Sequence, residues 1–179
     1  MYRSILLGAL VIAAGAPTPA VSSHRAEEFH SILTGFNEVG ALNNQSGAIF
    51  TQGRGGLELK LDRTNETLTF TLRFQNLSSP VTQAHIHFGK KHMAGGVMVF
   101  FCSNLATAPA GTQPCPADGG TVTGTLTAAN VLAIAGQNVT AGDFNAITEA
   151  LLTDTAYANV HTANFPAGEI RGQVVRGDR

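Results

Sequence analysis

The sequence predicts an all-β protein: an antiparallel, Greek-key-like β-sandwich or barrel of about eight strands, with one or two short helices covering one end. Three features of the chain point there. The stretch GLELKLDRTNETLTFTLRF alternates apolar and polar residues strictly on both sides of a turn-rich break. The composition, with 20 glycines, no tryptophan and frequent threonine, suits short strands joined by tight turns. The motifs of common α/β enzymes are missing. GRGG at 53–56 lacks the spacing and the following helix of a dinucleotide loop, and no G-x-S-x-G elbow occurs.

The chain opens MYRSILLGALVIAAGAPTPAVSS. Arg3 followed by an apolar run over 5–16 reads as a signal peptide spanning residues 1–20, with Thr18-Pro19-Ala20 as a small-residue cleavage site. The run is shorter than the roughly 20 apolar residues a membrane span needs, and no other segment qualifies after cleavage. Residues 21–30 are expected to be a flexible lead-in, and 31–176 a single domain that is secreted or periplasmic. Charge is balanced, 11 Lys+Arg against 12 Asp+Glu, with no basic run, which argues against nucleic acid as a partner.

The clearest strand pair is the alternating stretch itself. Leu57, Leu59 and Leu61 oppose Glu58, Lys60 and Asp62; after the turn RTNE, Leu68, Phe70, Leu72 and Phe74 oppose Thr67, Thr69, Thr71 and Arg73. Such period-two patterning around a turn is a hairpin with one buried face. Further strands are expected over 48–51, 81–88, 97–102, 121–126, 157–162 and 169–175. In TAGDFNAITEALLTDTA, helical spacing aligns Phe144, Ile147 and Leu151, with Thr140 as the expected N-cap and Asp143 three residues on. A shorter threonine-started turn is expected at TAANVLAIA. The two cysteines, Cys102 and Cys115, bracket a Pro/Gly/Ala-rich loop. In an exported chain an even count favours a disulfide, worth about 3 kcal/mol for a loop of this length.

Chemistry concentrates in AHIHFGKKHM, which holds half of the 6 histidines. On a strand, Ala84, Ile86 and Phe88 face one way and His85 and His87 the other, placing two imidazoles within reach of one ion. The second half lies in TAYANVHTANFPAGEIRGQVV, where Tyr157, Asn159 and His161 share a face and a hairpin brings Glu169 and Arg171 across from them. If the two segments are neighbours, His85, His87 and His161 form a candidate copper or zinc site, with Asn159, Glu169 and Arg171 supporting it. The bland alternative is that the histidines knit strands together through hydrogen bonds to Asn159, Glu169 and the backbone. His92 belongs to a loop beyond the strand, and His24 and His30 to the expected lead-in, where solvation is the simplest reading. Asn44, Asn65, Asn76 and Asn138 satisfy the N-x-[ST] pattern, which matters only in a glycosylating host.

The stretches LTGFNEVG, AHIHFG, GGVMVFFC, TGTLTAANV and AYANVHTANFPAGEIRGQV resemble the characteristic segments of chordin-type (CHRD) domains in exported bacterial proteins, covering 31–176. Phe36, Asn37 and Gly40 stand where that family commonly has a small residue, Gln and Pro. The resemblance implies a secreted all-β module and little about chemistry. The H-x-H pair, later histidine and disulfide are also similar in layout to copper–zinc superoxide dismutases, an analogy of architecture alone. Two functions follow as expectations: a metal-binding exported domain, in which turnover of a substrate is open, or a structural module that binds an extracellular protein or matrix partner through its sheet surface.

Overall fold

A computed structural model describes residues 26–39 and 47–177; the expected signal peptide, His24 and Asn44 lie outside the described residues. Nine strands form one antiparallel sheet: β1 (Glu27–Thr34), β2 (Arg54–Asp62), β3 (Thr67–Gln75), β4 (Val81–Phe88), β5 (Gly96–Ser103), β6 (Gly120–Leu126), β7 (Ala156–Thr162), β8 (Ile170–Gln173) and β9 (Val175–Arg176). The order is β5-β4-β7-β8-β1-β2-β3-β6, with β9 also on β1, and the sheet curls into a nearly closed barrel. The all-β expectation holds in its barrel form.

The hairpin β2–β3 pairs in the register its alternation dictates, Leu57 against Leu72 and Leu59 against Phe70. Its four-residue turn is held by Asp62, whose Oδ1 accepts the N–H groups of Thr64 and Asn65 at 2.9 and 3.0 Å. The leucines of both strands are buried in the core shared by every long strand. The strand β1 starts at Glu27, inside the segment expected to lead into the domain, and pairs along its whole length with β2. Residues 48–51 are not a strand; Ile49 N–H donates to Gly35 O at 2.8 Å, a single anchor rather than a ladder.

The helix α1 (Phe144–Leu152) buries Phe144, Ile147 and Leu151 as the spacing predicts and packs against β7 and β9. Its N-cap is Asp143, not Thr140: the Asp143 carboxylate accepts the Ala146 N–H at 3.1 Å. Aspartate caps as well as threonine does, and it stands one residue before the apolar stripe. A threonine-started 3-10 turn does form at Ala128–Asn130, with Asn130 Oδ1 accepting the Thr127 N–H at 2.9 Å.

The barrel leaves a seam between the end strands β5 and β6. It is sealed by the loop that follows β5. Gln113 donates its side-chain amide to Phe101 O on β5 at 3.2 Å and to Thr123 O on β6 at 3.0 Å, while Gln113 O accepts from Ser103 N–H at 2.9 Å. The ring of Phe101 meets Phe70 across the interior at 4.7 Å. The disulfide Cys102–Cys115 ties this sealing loop to β5 from within the core. A free edge would otherwise expose unpaired backbone groups to strand addition. Replacing both cysteines by serine therefore lowers stability by about 3 kcal/mol, read from urea midpoints. The same variant should self-associate at concentrations where the parent chain is monodisperse by light scattering; equal midpoints and equal scattering contradict this account of the seam.

Candidate metal centre

The register of β4 on β7 decides what the histidines meet. His85 is opposite Asn159, His87 opposite Tyr157, and His161 opposite Gln83. These side chains share the outer face of the sheet, because Ala84, Ile86, Ala158 and Val160 fill the core on the inner face. His85 and His161 are thus diagonal neighbours across the strand pair, a spacing that long side chains bridge. The ring centroids lie 4.9 Å apart for His85–His161, 5.4 Å for His85–His87 and 6.1 Å for His87–His161. One ligand nitrogen from each lies within 4.8 Å of the others. All three residues are buried, at 2, 8 and 6 % exposure. Two register shifts in the β4–β5 pairing, between Ala84 and His85 and between Ile86 and His87, give β5 an extra residue next to each histidine's partner.

Two backbone carbonyls set the protonation of the rings. His87 Nδ1 lies 3.0 Å from Gly95 O, and His161 Nδ1 lies 2.9 Å from Pro166 O. A carbonyl only accepts, so both Nδ1 atoms carry the proton and both Nε2 atoms present a lone pair. Among the described residues those Nε2 atoms have no hydrogen-bond partner, and neither does either nitrogen of His85. Buried polar atoms without partners are rare in native proteins.

The packing around the rings is specific. Tyr157 stacks on His87 with centroids 4.7 Å apart and planes 3° from parallel. Arg171 lies over the other face of Tyr157, Cζ 3.4 Å from its centroid, and donates to Met93 O at 2.7 Å and Lys90 O at 3.3 Å. Phe100 packs edge-on against His85 at 4.2 Å. Gly95 N–H donates to the Tyr157 hydroxyl at 3.2 Å, so one residue holds both rings of the stack. Only glycine fits there, since a Cβ would sit 1.7 Å from Phe88 O.

This chain matches the CHRD domain over residues 29–174. It belongs to the CHRD-domain family. No curated protein and no solved structure matches it.

Not every residue expected at the centre of this CHRD domain is there. Asn159 and Arg171 flank the histidines, but neither hydrogen-bonds to one: Asn159 Nδ2 donates to Glu38 Oε1 at 2.5 Å. Glu169 points elsewhere. Its carboxylate accepts from Thr51 Oγ1 at 2.5 Å, Thr162 Oγ1 at 2.7 Å, and Ser78 N–H and Oγ at 2.9 and 2.8 Å. The simple alternation of 169–175 fails at its first residue. Glu169 N–H bonds Val160 O, yet Val160 is registered with Ile170, so two residues stand against one and Glu169 turns toward the barrel end. His92 sits in the 89–95 loop at φ 65° and is not part of the cluster. His30 lies on β1, against Val175.

The residues that the sequence reading missed are Gly95, Pro166 and Glu38. The first two act through backbone carbonyls, which leave no side-chain signature. Glu38 is buried beside Asn159 and Arg171. Burial raises its pKa to about 7, against the pull of Asn159, Arg171 and the Val39 backbone. Gly168, at φ +127°, lets this pair close: a Cβ there would lie 2.6 Å from Asn159 Oδ1 and 2.8 Å from Glu38 Oε1.

Burial also holds the histidines neutral. His85 is pushed down to about 2, mainly by desolvation and then by its two histidine neighbours. His87 falls to about 4, and His161 is lowered as well, each again by desolvation first. The unfolded values are near 6.5, so below that pH the unfolded chain takes up protons that the folded chain does not. Stability is then lost as pH falls from about 6.5 toward the folded values, by about 1.4 kcal/mol per pH unit per histidine. Glu38 acts in the opposite sense between its unfolded value and about 7, because its folded form binds the proton more tightly. Urea midpoints of metal-free protein from pH 7 to 5 should fall more steeply for the parent than for a variant with all three histidines changed to Gln. Parallel slopes contradict the neutral triad.

Proposed function

We propose that this CHRD domain is an exported module that binds one transition-metal ion, copper or zinc, through Nε2 of His87, Nε2 of His161 and one nitrogen of His85. The observation that carries the reading is the convergence of three buried imidazoles whose facing nitrogens are unpartnered. Two inward lone pairs beside a third ring that makes no hydrogen bond are each desolvated without compensation; one ion satisfies a nitrogen of all three. A second point favours it over a purely structural role. The strand-knitting alternative takes Asn159, Glu169 and the backbone as partners; the two side chains are committed to other groups, and the backbone accounts for Nδ1 of His87 and His161 but for neither Nε2 nor either nitrogen of His85.

The donor set suits the ion. Imidazole nitrogens are ordinary ligands of copper and zinc. At metal–nitrogen distances of about 2.0 Å the ligand atoms would stand about 3.4 Å apart, against separations of up to 4.8 Å here, so loading asks for a closure of no more than about 1.4 Å. The carbonyls of Gly95 and Pro166 supply the Nδ1 contacts that orient metal-bound histidines and fix their tautomers. Export is supported by the apolar N-terminal run, by the disulfide and by the extracellular character of CHRD domains. The alternative function is a module that binds an extracellular protein or matrix without metal chemistry.

Copper and zinc titrations of metal-free protein test the reading. His85→Ala, His87→Ala and His161→Ala should each weaken binding by more than about a hundredfold. His92→Ala should leave it unchanged, and Ile86→Val should lower stability by about 0.5–1.5 kcal/mol without touching affinity. Because the folded rings stay neutral, affinity should persist well below pH 6.5 instead of fading there. Weak binding that is indifferent to His161→Ala replaces this reading with the matrix-module alternative.

A further inference from the structure

We infer that the ion held by this triad is monovalent copper, an inference that rests on the metal-site reading above and narrows it. The ligand cluster is three histidines with no carboxylate or thiolate among them. With both Nδ1 protons retained on carbonyls, His87 and His161 bind as neutral imidazoles, and His85 has no neighbouring base to take its proton. Among the described residues the ligand set therefore brings no negative charge to offset the ion.

The surroundings add positive charge. The Arg171–Tyr157–His87 stack places a guanidinium 3.4 Å above a ring that itself lies 4.7 Å from a ligand ring. Arg171 is buried, at 3 % exposure, so solvent screens it poorly. Glu38 interacts with this guanidinium, but burial raises its pKa to about 7, so it is only partly ionised at neutral pH and offsets Arg171 only in part; Glu169, at the other end of the strand pair, is held by Thr51, Ser78 and Thr162. Desolvating a divalent ion costs about four times as much as desolvating a monovalent one of the same size, because the Born term grows with the square of the charge. Repulsion from Arg171 doubles as well.

Coordination number points the same way. Zinc sites with three protein ligands complete a tetrahedron with water or substrate. Here Phe100 covers His85 and the three ligands are 2–8 % exposed, a closed setting. A d¹⁰ monovalent ion tolerates trigonal coordination and needs no fourth ligand there.

The test compares affinities on the same metal-free full chain at pH 7. Copper(I) is supplied anaerobically in competition with bicinchoninate, and zinc(II) in competition with a chromogenic chelator. Copper(I) should bind on the order of a hundredfold more tightly than zinc(II), because a single added charge at this depth is worth that much. Arg171→Gln should narrow the ratio by about tenfold by favouring the divalent ion, while Arg171→Lys, which keeps the charge, should leave it within about threefold. The ratio is read within each variant, so a general loosening of the 89–95 loop does not mimic the effect. Zinc(II) binding as tightly as copper(I), or a ratio unmoved by Arg171→Gln, overturns the monovalent assignment and leaves the triad as a metal centre. Failure of the parent chain to bind either ion overturns the metal-site reading itself.

Discussion

Two main-chain carbonyls, Gly95 O and Pro166 O, each take the Nδ1 proton of a buried histidine. Everything else at the centre depends on that choice. Had those protons been on Nε2, the inner nitrogens of His87 and His161 would be donors, and the cluster could only repel a cation. With the protons turned outward, the inner nitrogens are acceptors that bond to nothing among the described residues. The fold reaches this state through backbone alone. The 89–95 loop returns close enough to Phe88 that position 95 admits no Cβ, and the NFPAG turn brings Pro166 back to its own strand.

Buried charge is handled differently at the two ends of the same strand pair. Glu169, although buried, is met by four donors from β7 and two loops, which outweigh its desolvation and keep its pKa below the usual carboxylate value. Those contacts tie residues 51, 78 and 162 together at the barrel end, far apart in the chain. Glu38 has one strong donor and a nearby guanidinium, which is not enough to cancel its burial. One acid is thus a fixed anion that fastens loops, and the other is a carboxyl close to neutrality beside Asn159. Neither reaches a histidine, so the triad stays an all-nitrogen set.

Much of this was legible in the chain. Period-two alternation located β2, β3, β4 and β7 and their buried faces, since only one face of such a strand can enter the core. The same rule put His85, His87 and His161 on outer faces, and the pairing of β4 with β7 brought them together. The rule failed where the backbone departs from ideal pleating. A two-against-one step at Glu169 and Ile170 carried Glu169 to the barrel end, and no residue type announces such a step except the glycine before it. The strand β1 was missed because EEFHSILT mixes charged and apolar residues without clean alternation; its pairing with β2 is a long-range effect. Gly95 and Pro166 were invisible because their contribution is a carbonyl.

The most direct measurement of the central claim is the protonation pattern of the histidine rings by ¹⁵N-resolved NMR of metal-free protein near pH 6.5. His87 and His161 should each show a pyrrole-type Nδ1 and a pyridine-type Nε2, with no imidazolium form, and one equivalent of copper(I) should shift those Nε2 resonances together with one nitrogen of His85. Imidazolium rings, Nε2–H tautomers at His87 and His161, or resonances indifferent to the metal would contradict it.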